Sequence, residues 1–256
     1  MQAVILAGGR GTRISEESTI RPKPLIEIGG KPIIWHIMKN YSYHGINDFV
    51  ICCGYKAELV KEYFTNFGLY SSDISVDLKK KKIIYHKKKI ENWKITLIDT
   101  GLETQTGGRI KRISKYLKDT FCLTYGDGLS NVDISKSIKF HNKKNKLATM
   151  TTVQPAGRFG AVNIKNNLVT EFREKPLGDG GWINGGFFVL NKKVLDFIKD
   201  DYSIWENEPL KNIAKNKQLV SYKHKEFWHP MDTLRDKAFL EKLWNSDKCP
   251  WKVWDD

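Results

Sequence analysis

Cysteine is scarce: the 256-residue chain has four, at Cys52, Cys53, Cys122 and Cys249. No C-x-x-C pair occurs and no histidine cluster accompanies them. That argues against a zinc site or a disulfide framework and leaves buried, reduced thiols. Cys52 and Cys53 are adjacent and are expected on opposite sides of one strand. The six histidines form no grouping with serine and aspartate, so acyl transfer has no support. Long apolar runs are missing too. No segment approaches the ~20 residues of a membrane span. The first apolar run, Ala3 to Ala7, stops at glycine and is too short for a signal peptide. We therefore expect a soluble, cytoplasmic protein with no membrane partner. Acidic residues are under-represented, 29 against 43 lysines and arginines, for a net charge of +14. Such a balance invites a polynucleotide, yet zinc-finger spacing, RNP-type aromatics and a basic zipper are all lacking. Much of the excess sits in LKKKKIIYHKKKIENWK (78–94) and FHNKKNK (140–146). These read as a lysine-flanked hairpin and as a helix end with its turn, both solvated, so no nucleic-acid partner is expected.

Hydrophobic residues make up 40% of the chain, enough for a core. In the N-terminal half, strand and helix patterns alternate. Strands are expected at 2–6, 48–53, 96–99, 121–125 and 147–153, and helices at 32–43, 58–67, 109–117 and 134–142. Further strands are expected at 161–164, 168–174, 183–190 and 219–225, and helices at 192–199, 208–215 and 233–244. Repeated strand–helix–strand units predict an α/β fold of three-layer Rossmann-like type, with a mostly parallel mixed sheet covered on both faces. No linker rich in Pro, Gly or Ser divides the chain, and no internal repeat is found. One domain over 1–256 is expected, with residues 1 to about 130 facing a nucleotide and the remainder facing an acceptor.

Ligands of open α/β sheets lie beyond the carboxyl ends of the strands, and three segments with chemical character fall there. LAGGRGTR (6–13) follows the first strand; its glycines can bring backbone N–H groups to a triphosphate, and Arg13 offers a forked donor. A plain glycine turn is the alternative. It is not a Walker loop, and Ile14 stands where the dinucleotide fingerprint needs its last glycine. Lys23, between Pro22 and Pro24, is either held toward one fixed phosphate or a surface lysine in a stiff turn. Asp127, in Gly126-Asp127-Gly128, suits magnesium or is a turn aspartate. Asp232, in HPMDTLRD, is either the second carboxylate or the N-cap of the last helix.

LAGGRGTRISEESTIRPKPLIEIGGKPI resembles the signature of the sugar-1-phosphate nucleotidylyltransferases, and the resemblance continues through TYGDG, FREKP, INGGFFVL and WHPMDTLRD. Ile14 replaces the leucine usual after G-T-R, and Arg21 adds a cation before Pro22-Lys23-Pro24. DTGLETQTGGRIKRI, ICCGYK and MDTLRDKAFLEKLW look most like the cytidylyl branch, which implies CTP and glucose 1-phosphate as substrates and Mg2+ as cofactor. The thymidylyl, uridylyl and guanylyl branches are the alternatives. The resemblance implies attack of the sugar phosphate on the α-phosphorus, with diphosphate leaving and no covalent enzyme intermediate. It gives Leu6, Ala7, Gly8, Gly9, Arg10 and Gly11 to base, ribose and phosphates, and Thr12 and Arg13 to the leaving phosphates. Lys23 falls to the α-phosphate and the attacking phosphate. Thr104, Gly107 and Arg109 border the nucleotide, Arg109 as a second cation. Asp127 and Asp232 bind the metal. Lys175, Asn184, Gly185 and Gly186 hold the sugar phosphate, and Gly160 and Trp228 the sugar. Carbonyls near Leu6 and around Gly107 are expected to read the cytosine amine. Segment 68–92 is longer than a usual strand connection and carries Ile83, Ile84 and Tyr85, so it is either a surface hairpin or packs on a neighbouring subunit, and a homo-oligomer is expected. Close relatives imply a hexamer and a place in surface polysaccharide synthesis such as lipopolysaccharide O-antigen.

Overall fold

The computed structural model of the chain describes all residues except 89–90, 156, 158–160, 175–180, 247 and 256. Gly160 and Lys175, expected at the sugar, therefore lie outside the described residues.

The chain begins with β1 (Ala3–Leu6), α1 (Ser15–Ser18), the short pair β2 (Glu27–Ile28) and β3 (Lys31–Pro32), α2 (Ile33–Tyr43), β4 (Asp48–Cys53), α3 (Ala57–Thr65) and α4 (Phe67–Tyr70). The hairpin β5 (Ser72–Asp77) and β6 (Lys82–Lys88) precedes β7 (Lys94–Asp99), α5 (Thr106–Arg112), β8 (Thr120–Tyr125), β9 (Gly128–Ser130) and α6 (Ile134–Lys144). Then come β10 (Ala148–Val153), the hairpin β11 (Ala161–Lys165) and β12 (Leu168–Arg173), β13 (Ile183–Asn191), α7 (Glu208–Lys215), β14 (Leu219–Lys223), β15 (Trp228–Pro230) and α8 (Leu234–Trp244).

Seven strands form one sheet in the order β14-β10-β13-β8-β1-β4-β7. β8, β1, β4 and β7 run parallel, and β13 is antiparallel to both of its neighbours, β8 and β10. The sheet is therefore mixed and mostly parallel. Period-2 alternation divides β1 between two cores: Ala3 and Ile5 enter one, Val4 and Leu6 the other. Cys53 and Cys52 part the same way. All four cysteines are free, and burial pushes the Cys53 and Cys122 thiols up to about 12. No helix among the described residues is long and apolar enough to cross a membrane.

Three local expectations shift. The lysine-rich hairpin spans 72–88 rather than 78–94, because Asp77 Oδ1 accepts the Lys80 N–H at 2.9 Å and starts the turn there. Residues 192–197 form a 3-10 helix, capped when Asn191 Oδ1 accepts the Lys193 N–H. The helix expected at 109–117 instead starts at Thr106 and stops at Arg112. Gln105 N donates to the Asp201 carbonyl at 2.8 Å, and the Thr106 hydroxyl accepts from Trp205 N at 2.9 Å. Contacts almost a hundred residues away set that start.

Candidate active site

Because β1, β4, β7 and β8 are parallel neighbours, the loops that leave their carboxyl ends share one edge. Gly126 N donates to the Leu6 carbonyl at 3.0 Å, which seats Asp127 against the glycine loop. Pro22 is extended and Lys23–Leu25 make a single 3-10 turn, so Lys23 enters from the side and is buried. Its Nζ donates to Asp127 Oδ2 at 2.6 Å and to Asp232 Oδ1 at 2.7 Å. Arg13 Nη1 reaches the other oxygen of Asp232 at 2.7 Å.

A small ladder brings the two aspartates together across the sequence. β9 and β15 pair antiparallel with Pro230 opposite Gly128, and Met231 N donates to the Asp127 carbonyl at 2.8 Å. The cap of α8 is Thr233, not Asp232: Thr233 and Asp236 form a capping box. Asp236 also accepts the Asp232 N–H at 3.0 Å, which leaves the Asp232 carboxylate to Lys23 and Arg13. Hydrogen bonds from these groups hold the Asp236 carboxyl below its ordinary range, against the opposing effect of burial. Ile14 is fully buried, so the departure from leucine fills a core position.

Two cavities meet at Asp127. The first, about 290 Å³, is lined by Leu6, Ala7, Gly8, Gly9, Gly11, Thr12, Arg13, Lys23, Thr104, Arg109 and Asp127 among others. Arg10 and Gly107 do not line it. Arg10 pairs with Glu103 across the mouth. Gly107 packs on the 201–203 segment, where a Cβ would lie 2.6 Å from the Ser203 carbonyl. The Leu6 carbonyl, expected to read the base, already accepts from Gly126. Arg109 is buried and its terminal nitrogens face carbonyls.

The second cavity, about 340 Å³, is lined by Arg13, Asp127, Asp232, Asn184, Gly185, Gly186 and Trp228, together with Tyr125 and Glu206. Its wall is a bulge in β13. The register with β10 shifts at 184–188, and Gly186 has φ +78°, where a Cβ would lie 2.6 Å from the Tyr125 ring. Trp228 Nε1 donates to the Gly185 carbonyl at 2.7 Å.

Sequence reasoning missed Glu206. This carboxylate accepts from the Tyr125 hydroxyl and, at 2.7 Å, from Thr106 Oγ1. Burial, then Glu206, pushes the Tyr125 pKa up, so the phenol stays a donor. Nothing in WENEP marks the residue; its position follows from where α5 packs.

Residues 2–233 match the family profile described as nucleotidyl transferase. The chain belongs to that family. It is 54% identical to a glucose-1-phosphate cytidylyltransferase of Salmonella typhimurium strain LT2, covering 100% of both chains. It is 44% identical to a probable glucose-1-phosphate cytidylyltransferase of Bacillus subtilis, over 99% of this chain and 100% of that one. A solved UDP-glucose pyrophosphorylase complexed with UDP-glucose shares the fold, with a TM-score of 0.67 at 15% identity, covering 95% of this chain and 97% of that one. This nucleotidyltransferase thus places Lys23, Asp127, Asp232 and Arg13 in one connected ionic group between two cavities.

Proposed function

We propose that the chain joins CTP and glucose 1-phosphate to give CDP-glucose and diphosphate. The observation that carries this reading is identity above half, over the full length, to a cytidylyltransferase acting on that sugar phosphate. The site supports it. The nucleotide enters the first cavity along the glycine loop, and the sugar phosphate enters the second, with its phosphate toward Arg13 and Lys23. An oxygen of the sugar phosphate forms a bond to the α-phosphorus as the bond from that phosphorus to the β-phosphate oxygen breaks. Diphosphate then leaves toward Thr12 and Arg13. Lys23 neutralises charge on both phosphates, and positioning supplies most of the rest.

Asp127 and Asp232 direct carboxylate oxygens onto one cationic atom, the Lys23 ammonium. Hard oxygen donors in that number suit magnesium, which takes its other ligands from water and phosphates. Held by Asp127 and Asp232, such an ion would supply charge withdrawal at the α-phosphate. The same fold and mechanism with another base or sugar is the alternative, and one assay separates them. Diphosphate release is followed with glucose 1-phosphate, magnesium and each of CTP, UTP, dTTP, GTP and ATP. Release with CTP alone supports the proposal; preference for another nucleotide overturns it.

This reading extends to a homo-oligomer, a hexamer. The β5–β6 hairpin exposes Ile74, Val76, Ile83, Ile84 and Tyr85, an apolar set that a neighbouring subunit would cover. A monomer mass by light scattering would rule that out. CDP-glucose made in the cytoplasm would feed surface polysaccharide such as lipopolysaccharide O-antigen.

A further inference from the structure

Arg109 is 5% exposed, and both terminal nitrogens of its guanidinium are occupied. Nη1 donates to the Cys53 carbonyl at 3.1 Å, to Thr100 Oγ1 at 2.7 Å and to the Gly101 carbonyl at 2.7 Å. Nη2 donates to the Gly8 carbonyl at 3.1 Å and the Leu102 carbonyl at 3.2 Å. These acceptors come from three chain segments: the loop after β1, the end of β4 and the loop after β7. Parallel strands direct their last carbonyls toward this edge, and one planar cation with several fixed donors can satisfy carbonyls from three segments at once.

The glycines around it fit the same purpose. A Cβ on Gly8 would lie 2.2 Å from Nη1, and its three nearest atoms would all belong to the Arg109 guanidinium. A Cβ on Gly54 would lie 2.4 Å from the same atom and 2.7 Å from the Gly8 carbonyl. Glycine at position 8 therefore leaves room for an arginine, whatever else it does for phosphate.

We infer that Arg109 is a positioning residue: its guanidinium latches the glycine loop to the ends of β4 and β7 and so sets the shape of the first cavity, without meeting phosphate. The inference deepens the nucleotide reading of that cavity and rests on it for its functional consequence. The latch itself can be tested without any ligand.

The test uses the full chain as Arg109→Lys, Arg109→Ala and Gly8→Ala. Lysine keeps the charge but cannot bridge several carbonyls. Gly8→Ala keeps the arginine and puts a methyl group in the guanidinium's place. Amide hydrogen exchange is measured first on the unliganded protein. In Arg109→Lys and in Gly8→Ala, exchange over 8–13 and 101–105 is expected to rise by about tenfold or more, with the β1 and β8 amides unchanged. Exchange unchanged in both overturns the latch. Affinities for CTP and cytidine are measured next. A latch predicts that Arg109→Lys weakens both, by factors less than about tenfold apart. A loss for CTP that exceeds the loss for cytidine by about tenfold or more means direct phosphate contact and also overturns it. Non-additivity completes the test: Gly8→Ala should add little further exchange in the Arg109→Ala background, since the clash is gone. A wild-type chain that binds neither CTP nor cytidine would sink the nucleotide reading, and the exchange result would still decide the latch.

Discussion

The two cavities share Arg13, Asp127 and Tyr125, yet their charges are opposite in balance. The first is lined by three cations, Arg13, Lys23 and Arg109, and one carboxylate, Asp127. The second is lined by one cation, Arg13, and three carboxylates, Asp127, Glu206 and Asp232. Their walls differ as well. Glycine, alanine and threonine make up half of the first wall, whereas the second sets a Trp228 ring and the Glu206 carboxylate around a bulge. A triphosphate needs charge neutralised and donors close by. A sugar offers hydroxyls, whose hydrogens carboxylates accept. The asymmetry supports the proposal that the nucleotide takes one side and the sugar the other, with the phosphorus that changes partners near Arg13 and Asp127, which both cavities share, and beside Lys23, which is bonded to Asp127.

The largest effect should come from Lys23, which lines the first cavity and is bonded to Asp127 and Asp232 in the wall of the second. Lys23→Ala is expected to lower kcat by about 10²–10³-fold, the range found when one preorganised donor to a developing charge is removed. Steady-state kinetics with each substrate varied in turn checks it. If the loss falls mainly on the KM of one substrate, Lys23 belongs to that cavity alone and the shared-wall picture fails.

Glu206→Gln sharpens the comparison from the sugar side. The amide keeps the size but loses an anionic acceptor. The KM for glucose 1-phosphate is expected to rise about tenfold, in keeping with one weakened buried polar contact, while the KM for CTP stays within about twofold. If both rise together, the variant is acting through Thr106, whose hydroxyl donates to Glu206 from the first turn of α5. The two cavities would then be one coupled unit.

How far each cavity could be foreseen follows from how it is built. The first is legible in the part of its wall that the glycine loop supplies, Leu6 to Gly9 and Gly11 to Arg13, at the end of a short apolar strand, with Lys23 ten residues on; its other side comes from 104–106, Arg109 and 125–127. Local rules of glycine, proline and strand polarity reach that far. Asp232 was visible as a carboxylate, but its cap role went to Thr233, a one-residue distinction set by the capping box. The second cavity takes Tyr125, Asn184, Glu206 and Trp228 from four separated segments, and only sheet order and the β13 bulge bring them together. Arg109 shows a different limit. Its type and position were readable, but the carbonyls that surround it come from a fold that no local pattern describes. The strand order β8-β1-β4-β7 decides that the ends of β1, β4 and β7 converge on this one side chain.

The smallest effect is expected at the mouth of the first cavity. Arg10 and Glu103 pair across it with side chains 53% and 74% exposed. Exposed pairs of this kind are worth ~0–1 kcal/mol and are screened by salt. Arg10→Ala should therefore change the KM for CTP by less than about threefold at physiological ionic strength. Glu103→Ala supplies the sign. If the pair merely closes the mouth, both variants shift affinity in the same direction. If Arg10 leaves Glu103 to bind phosphate, losing Glu103 releases the arginine and tightens CTP, while losing Arg10 weakens it. Opposite signs, shrinking as salt is raised, would add a fourth cation to the nucleotide side and make the two cavities more unlike than the unliganded structure has them.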